Sequence, residues 1–93
     1  MKLPVNYDSL SWKARRLARE QYIKEQGGNC AWCKGPLSEE ASKEAKRLWI
    51  NSKLFPTGFF DHPVHLHHDH DTGMTIGAVH NTCNAILWQY HGK

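Results

Sequence analysis

Four residues of this chain have the types and spacing of a metal staple. Cys30 and Cys33 form a C-x-x-C half-site, and His80 and Cys83 form an H-x-x-C half-site far downstream. Two donors three positions apart on a tight turn can grip one ion, and two such grips complete a tetrahedron. Thiolate and imidazole donors in that geometry suit Zn²⁺. With all four positions filled by protein the site is closed to water. It is therefore expected to be structural, and its binding energy to be part of the folding energy. A redox pair is the other use of a lone C-x-x-C, and the second half-site argues against it.

A second cluster lies in the segment 65–71, where His65, His67, His68, Asp69, His70 and Asp71 surround a single apolar residue, Leu66. A strand that only packed on a core would alternate polar with apolar. A run of ionisable groups of this density is costly unless it binds metal or does chemistry. Within it, Asp69 and Asp71 read as residues that orient a histidine or cap a turn. His62 and His65 read as loop and strand-edge histidines, and His91 as solvated.

These residues need elements to hold them. Residues 1–8 read as an irregular lead-in. Asp8 or Ser9 caps a helix over about 10–26, ended by Gly27 and Gly28. A turn follows the first knuckle, and Ser38 opens a second helix over about 39–53. A loop with Phe55, Phe59 and Phe60 leads to a strand over 64–71, a tight connection over 71–74 and a second strand over 74–79. His80 and Cys83 form the second knuckle, and a last helix runs over about 82–90. Trp12, Trp32, Trp49 and Trp88 read as core side chains rather than platforms for base stacking.

Length and composition set the frame. A chain of 93 residues allows one compact domain, residues 1–93, near the size below which a metal or disulfide is needed. Three cysteines argue against a disulfide framework. No apolar run approaches a membrane span and no secretory leader is visible, so a cytoplasmic protein without a membrane partner is expected. The formal charge is +3. The basic residues of the first helix, Lys13, Arg15, Arg16, Arg19 and Lys24, outweigh Glu20 and Glu25 by that same amount. A basic stripe on one helix suits a nucleic-acid backbone, and equally describes a solvated face.

Three blocks, QGGNCAWC (26–33), LHHDHDTG (66–73) and GAVHNTCNA (77–85), resemble the phage recombination endonuclease VII family within the HNH nucleases. The resemblance covers about residues 20–87. It implies a small α+β fold: a ββα-metal (HNH, or His-Me finger) core over about 64–91, a structural zinc knuckle pair, and flanking helices that include a basic N-terminal helix over about 9–26. It also implies roles. His68 matches the general base. His67 matches the preceding metal ligand, which is Asp in most of that branch and His in the colicin type. Asn84 matches the second ligand of the catalytic ion, and His70 a further histidine of the pattern.

The chain also departs from the family. His80 stands where Cys is usual, and Met74 and Ile76 stand where the family often carries basic residues. Residues 37–63 read as an added helix and loop. Longer members dimerise and bind branched DNA through a C-terminal helical region, and that substrate specificity is not carried over to this chain.

The expectation from the resemblance is a metal-dependent DNA endonuclease that nicks, as a monomer or weak homodimer, encoded by a phage and acting in its host. The staple would hold Zn²⁺, and a separate site Mg²⁺, Mn²⁺, Co²⁺ or Ni²⁺. Phosphodiester hydrolysis needs an activated water, charge stabilisation and a leaving-group partner. A neutral imidazole beside one open divalent ion meets those needs. Lys13, Arg15, Arg16 and Arg19 are the expected DNA contacts. The alternative is a non-catalytic, zinc-stabilised nucleic-acid-binding module; a third reading is a zinc-knuckle adaptor for proteins.

Overall fold

A computed structural model describes residues 1–92 of the chain. At its centre is an antiparallel hairpin of β1 (Val64–His68) and β2 (Thr75–His80). The turn is set by Asp69, whose carboxylate accepts from the backbone N–H groups of Asp71 at 2.7 Å and Thr72 at 3.0 Å. Those bonds end β1 at His68, earlier than the expected 71, because a side-chain acceptor replaces the ladder partner. They also hold the Asp69 carboxyl below its ordinary pKa. The register slips between His67 and His68, which pair with Gly77 and Thr75.

The lead-in is more ordered than the sequence suggests. The Tyr7 N–H donates to the Gly73 carbonyl at 2.7 Å and the Thr75 N–H to the Val5 carbonyl at 2.9 Å, so residues 5–7 lie along the start of β2. Gly73 makes this approach possible: it has φ +77°, and a Cβ there would meet Asp8 Oδ2 at 2.9 Å.

Helix α1 (Trp12–Glu25) is capped by Ser11, whose hydroxyl accepts from the Ala14 N–H, so it starts later than the expected 10. Only Ala18 of this helix is buried, and Leu17 is exposed. The Gln26 side chain locks the end of the helix to β2, accepting from the Ala78 N–H and donating to its carbonyl, each at 2.9 Å.

The second helix is much shorter than expected. Helix α2 covers only Lys43–Lys46, capped by Ser42, and a separate 3-10 turn, Ser52–Leu54, is capped by Asn51. Two side chains that compete for backbone N–H groups have broken one helical stretch into two pieces. Helix α3 (Asn81–His91) follows β2 without a linker and ends at Gly92 in the left-handed conformation. Among the described residues the architecture is thus a small α+β fold with one two-stranded antiparallel sheet and three α-helices.

The core is thin. It comprises Cys30, Leu37, Ala41, Ala45, Ala78, Val79, Cys83 and Ile86, so alanines and cysteines predominate. Of the expected core tryptophans, Trp12 and Trp49 are exposed and Trp88 lies at the surface. Side chains this small bury little area, so a core of this kind would gain from an ion held by its cysteines. No helix among the described residues is long and apolar enough to cross a membrane.

Candidate functional site

The two knuckles come together. The ligand atoms of Cys30, Cys33, His80 and Cys83 all lie within 4.8 Å of one another, with Cys30, His80 and Cys83 buried. Turn geometry aims the first pair: the Cys30 N–H donates to the Gly35 carbonyl and the Trp32 N–H to the Cys30 sulfur. His80 is aimed by its far nitrogen. Nε2 donates to the Pro36 carbonyl at 2.9 Å, which leaves Nδ1 as the acceptor, 3.4 Å from Cys33 Sγ and 3.7 Å from Cys83 Sγ. Bond lengths of about 2.0–2.3 Å put neighbouring ligands of a tetrahedral zinc about 3.5–3.8 Å apart, so the donors fit that ion. The Cys83 thiol donates to the Cys30 sulfur and holds Cys30 down to about 4, while Cys83 is pushed up. The pair shares a proton, and a bound cation is what would let every sulfur be a thiolate.

The second cluster lies on the other side of the hairpin and of α3. Successive strand residues face opposite ways, and the register slip does not undo this for the key pair: His67 turns to α3 and His68 to the lead-in. His67 is 5% exposed, and its Nδ1 lies 3.2 Å from Asn84 Oδ1. The Asn84 amide nitrogen donates to His65 Nδ1 at 3.0 Å, so the amide is fixed between two imidazoles. A nitrogen and an oxygen 3.2 Å apart match neighbouring ligands of an octahedral ion, whose bonds of about 2.1 Å put them about 3.0 Å apart. Without an ion the contact is a hydrogen bond, His67 Nδ1–H donating to the amide oxygen, and the two atoms could hold a divalent ion only once that proton is given up. Burial lowers the pKa of His65 and of His67, which keeps both neutral.

His68 is held by stacking. Its ring lies on the Tyr7 ring with centroids 3.9 Å apart and planes 4° from parallel. The Arg15 guanidinium covers the opposite face of Tyr7 at 3.8 Å and donates from Nε to the Tyr7 carbonyl at 3.1 Å. His70 adds a tilted contact 4.8 Å from His68. Burial lowers the His68 pKa, His70 and Arg15 add to the shift, and Asp8 opposes it.

His65, His68, His70 and Asn84 line one cleft of about 770 Å³, with Arg15, Arg16 and Arg19 along its α1 wall. His67 does not line it and reaches it only through Asn84. Lys13 is not on this wall either; its ammonium sits 5.9 Å from the Trp12 ring. Arg16 is paired with Glu20 at 3.1 Å on the exposed helix face.

Two residues of this cluster lie outside the expected set. His65 shares a strand face with His67, a signal present in the period-2 spacing. Tyr7 reaches His68 only because the lead-in crosses the hairpin, and nothing in its local sequence marks it. The Asn81 side chain satisfies its own turn, its oxygen accepting from the Thr82 N–H at 2.6 Å, and its amide nitrogen also donates to the carbonyls of Phe60 and His62 and tethers the preceding loop.

No protein-family model, curated protein or solved structure matches this chain.

Proposed function

We propose that the chain is a metal-dependent DNA endonuclease built on a ββα-metal core, with the Cys30, Cys33, His80 and Cys83 cluster holding a structural zinc. The observation that carries this reading is the convergence of His68 and Asn84, with His67 behind the amide, at a cleft walled by three arginines. A phosphate drawn to the arginines would lie beside a neutral imidazole and an amide side chain held in place by two further histidines.

His68 is the general base. Burial keeps it unprotonated, and the Tyr7 stack fixes the plane of its ring, so a free ring nitrogen can accept a proton from water. His67 and Asn84 would hold the divalent ion, which supplies charge neutralisation at the phosphate and at the leaving oxygen. His65 fixes the amide of Asn84 so that its oxygen faces His67. Arg15, Arg16 and Arg19 bind the strand through phosphates and carry no sequence information.

Supercoiled plasmid incubated with the zinc-loaded protein and Mn²⁺ tests the reading: conversion to the open-circular form is expected, and its abolition in His68→Ala. If the plasmid stays intact across Mg²⁺, Mn²⁺, Co²⁺ and Ni²⁺ while DNA is still bound, the non-catalytic binding module is the correct alternative.

A further inference from the structure

The cleft has a second wall that phosphate chemistry does not use. Besides the arginines it is lined by Phe55, Phe59 and Trp88, and by Trp12 at the start of α1 itself. Phe55 contacts Phe59 at 4.6 Å and Trp88 at 5.7 Å between centroids, and Phe59 meets His65 edge-on at 4.6 Å. The aromatic surface therefore runs unbroken to the reacting groups. It is not spent on the core: Trp12 is 70% exposed and Trp88 43% exposed. An occupant of this cleft must present anionic groups to one wall and flat apolar faces to the other.

We infer that the cleft takes an unpaired nucleic-acid strand, its phosphates on Arg15, Arg16 and Arg19 and one or two of its bases against the wall of Phe55, Phe59 and Trp88. The inference rests on the endonuclease reading and names its substrate class. A continuous duplex turns phosphates and sugars outward and keeps its base faces stacked inside, so it has nothing to lay on the aromatic wall. An unpaired strand offers both surfaces in each nucleotide, and its bases gain by stacking on aromatic side chains. The volume of about 770 Å³ falls in the range that encloses a small ligand, enough for a nucleotide or two. The +3 net charge of the chain makes a second copy a poor occupant of a cleft already lined by arginines.

The test uses the zinc-loaded His68→Ala protein, which cannot turn substrate over, and a labelled oligonucleotide in three forms: single-stranded, fully paired, and paired with a short unpaired gap. The single-stranded and gapped forms are expected to bind at least about tenfold more tightly than the duplex. Trp88→Leu, which keeps apolar bulk without a ring, should weaken binding of the unpaired forms by about 5–100-fold and leave duplex binding unchanged, and Trp88→Phe should restore most of the loss. Trp12→Ala, at an exposed position, should give a smaller loss in the same direction. Unchanged duplex binding in each variant certifies its fold. Equal affinity for all three forms, with the tryptophan variants indistinguishable from their parent, would overturn the inference while the nuclease reading stands. If none of the three forms is bound and plasmid is not nicked by wild-type protein, the nuclease reading itself has failed. Capture of acidic aromatic peptides in place of the oligonucleotides would replace the inference with a peptide groove.

Discussion

The knuckle cluster and the cleft cluster are built from the same strand–helix junction, yet they suit opposite purposes. Cys83 and Asn84 are neighbours on α3, and consecutive residues of an α-helix point about 100° apart. Cys83 therefore turns into the core toward Cys30, while Asn84 turns to the cleft. Around Cys83 three of the four donors are sulfur, three of the four are buried, and together they could hold a tetrahedral ion. Around Asn84 there are one nitrogen and one oxygen, and the Asn84 side chain borders a cleft of about 770 Å³. Donor count and access, rather than the presence of histidine, distinguish the two clusters.

The largest expected effect lies on the structural side. Cys83→Ala should abolish cooperative folding, because a core of mostly alanine and cysteine has little apolar area to offset chain entropy. Circular dichroism during chelation and zinc add-back checks this: wild-type protein should lose and regain its helical signal with about one equivalent of zinc. His80→Cys should keep both. A chelated protein that stays folded would erase the distinction drawn between the two clusters.

On the reactive side, His68→Ala should lower the cleavage rate by about 10²–10⁴-fold with zinc content and circular dichroism unchanged. The pH dependence has a definite sign. His68 has a lowered pKa, so activity should rise with pH to a plateau, with its midpoint below the ordinary histidine value of about 6.5. Stability follows the same direction. His65, His67 and His68 all have lowered pKa values in the fold. Their contribution is complete above the unfolded value near 6.5 and is lost as pH falls toward the folded values. Thermal melts between pH 5 and 8 read this, and an activity midpoint above 7 would exclude His68 as the base.

A smaller effect separates chemistry from support. Tyr7→Ala should reduce kcat by about tenfold with little change in KM, since it frees the base ring rather than removing a substrate contact. Tyr7→Phe retains the stacked face and should restore the rate. Equal losses in both variants would point to the hydroxyl instead of the stack.

The finest distinction concerns the ion. With an imidazole and an amide as donors, Mn²⁺, Co²⁺ or Ni²⁺ should support faster cleavage than Mg²⁺ at equal concentration. His67→Asp should shift the ratio back toward Mg²⁺ by severalfold, as an all-oxygen site favours the harder ion. A ratio unmoved by the substitution would remove His67 from the metal site.

What the sequence determined by itself is what depends on short spacings. The C-x-x-C and H-x-x-C pairs, the hairpin around Thr72 and Gly73, and the basic face of α1 could be read because their geometry is set within a few residues. The shared strand face of His65 and His67 was equally readable from period-2 spacing, although His65 was assigned no role. Only the tertiary structure decided the rest. The 39–53 stretch became Lys43–Lys46 and a separate turn because Ser42 and Asn51 captured backbone donors locally. Tyr7 came to lie on His68, distant in sequence, because Gly73 leaves room for the lead-in to cross the hairpin. Trp12 and Trp88 stayed at the surface while smaller side chains make up the core. Local spacing fixes which donors can act together, while burial and stacking between segments far apart in the chain are set only when the whole chain competes for one small interior.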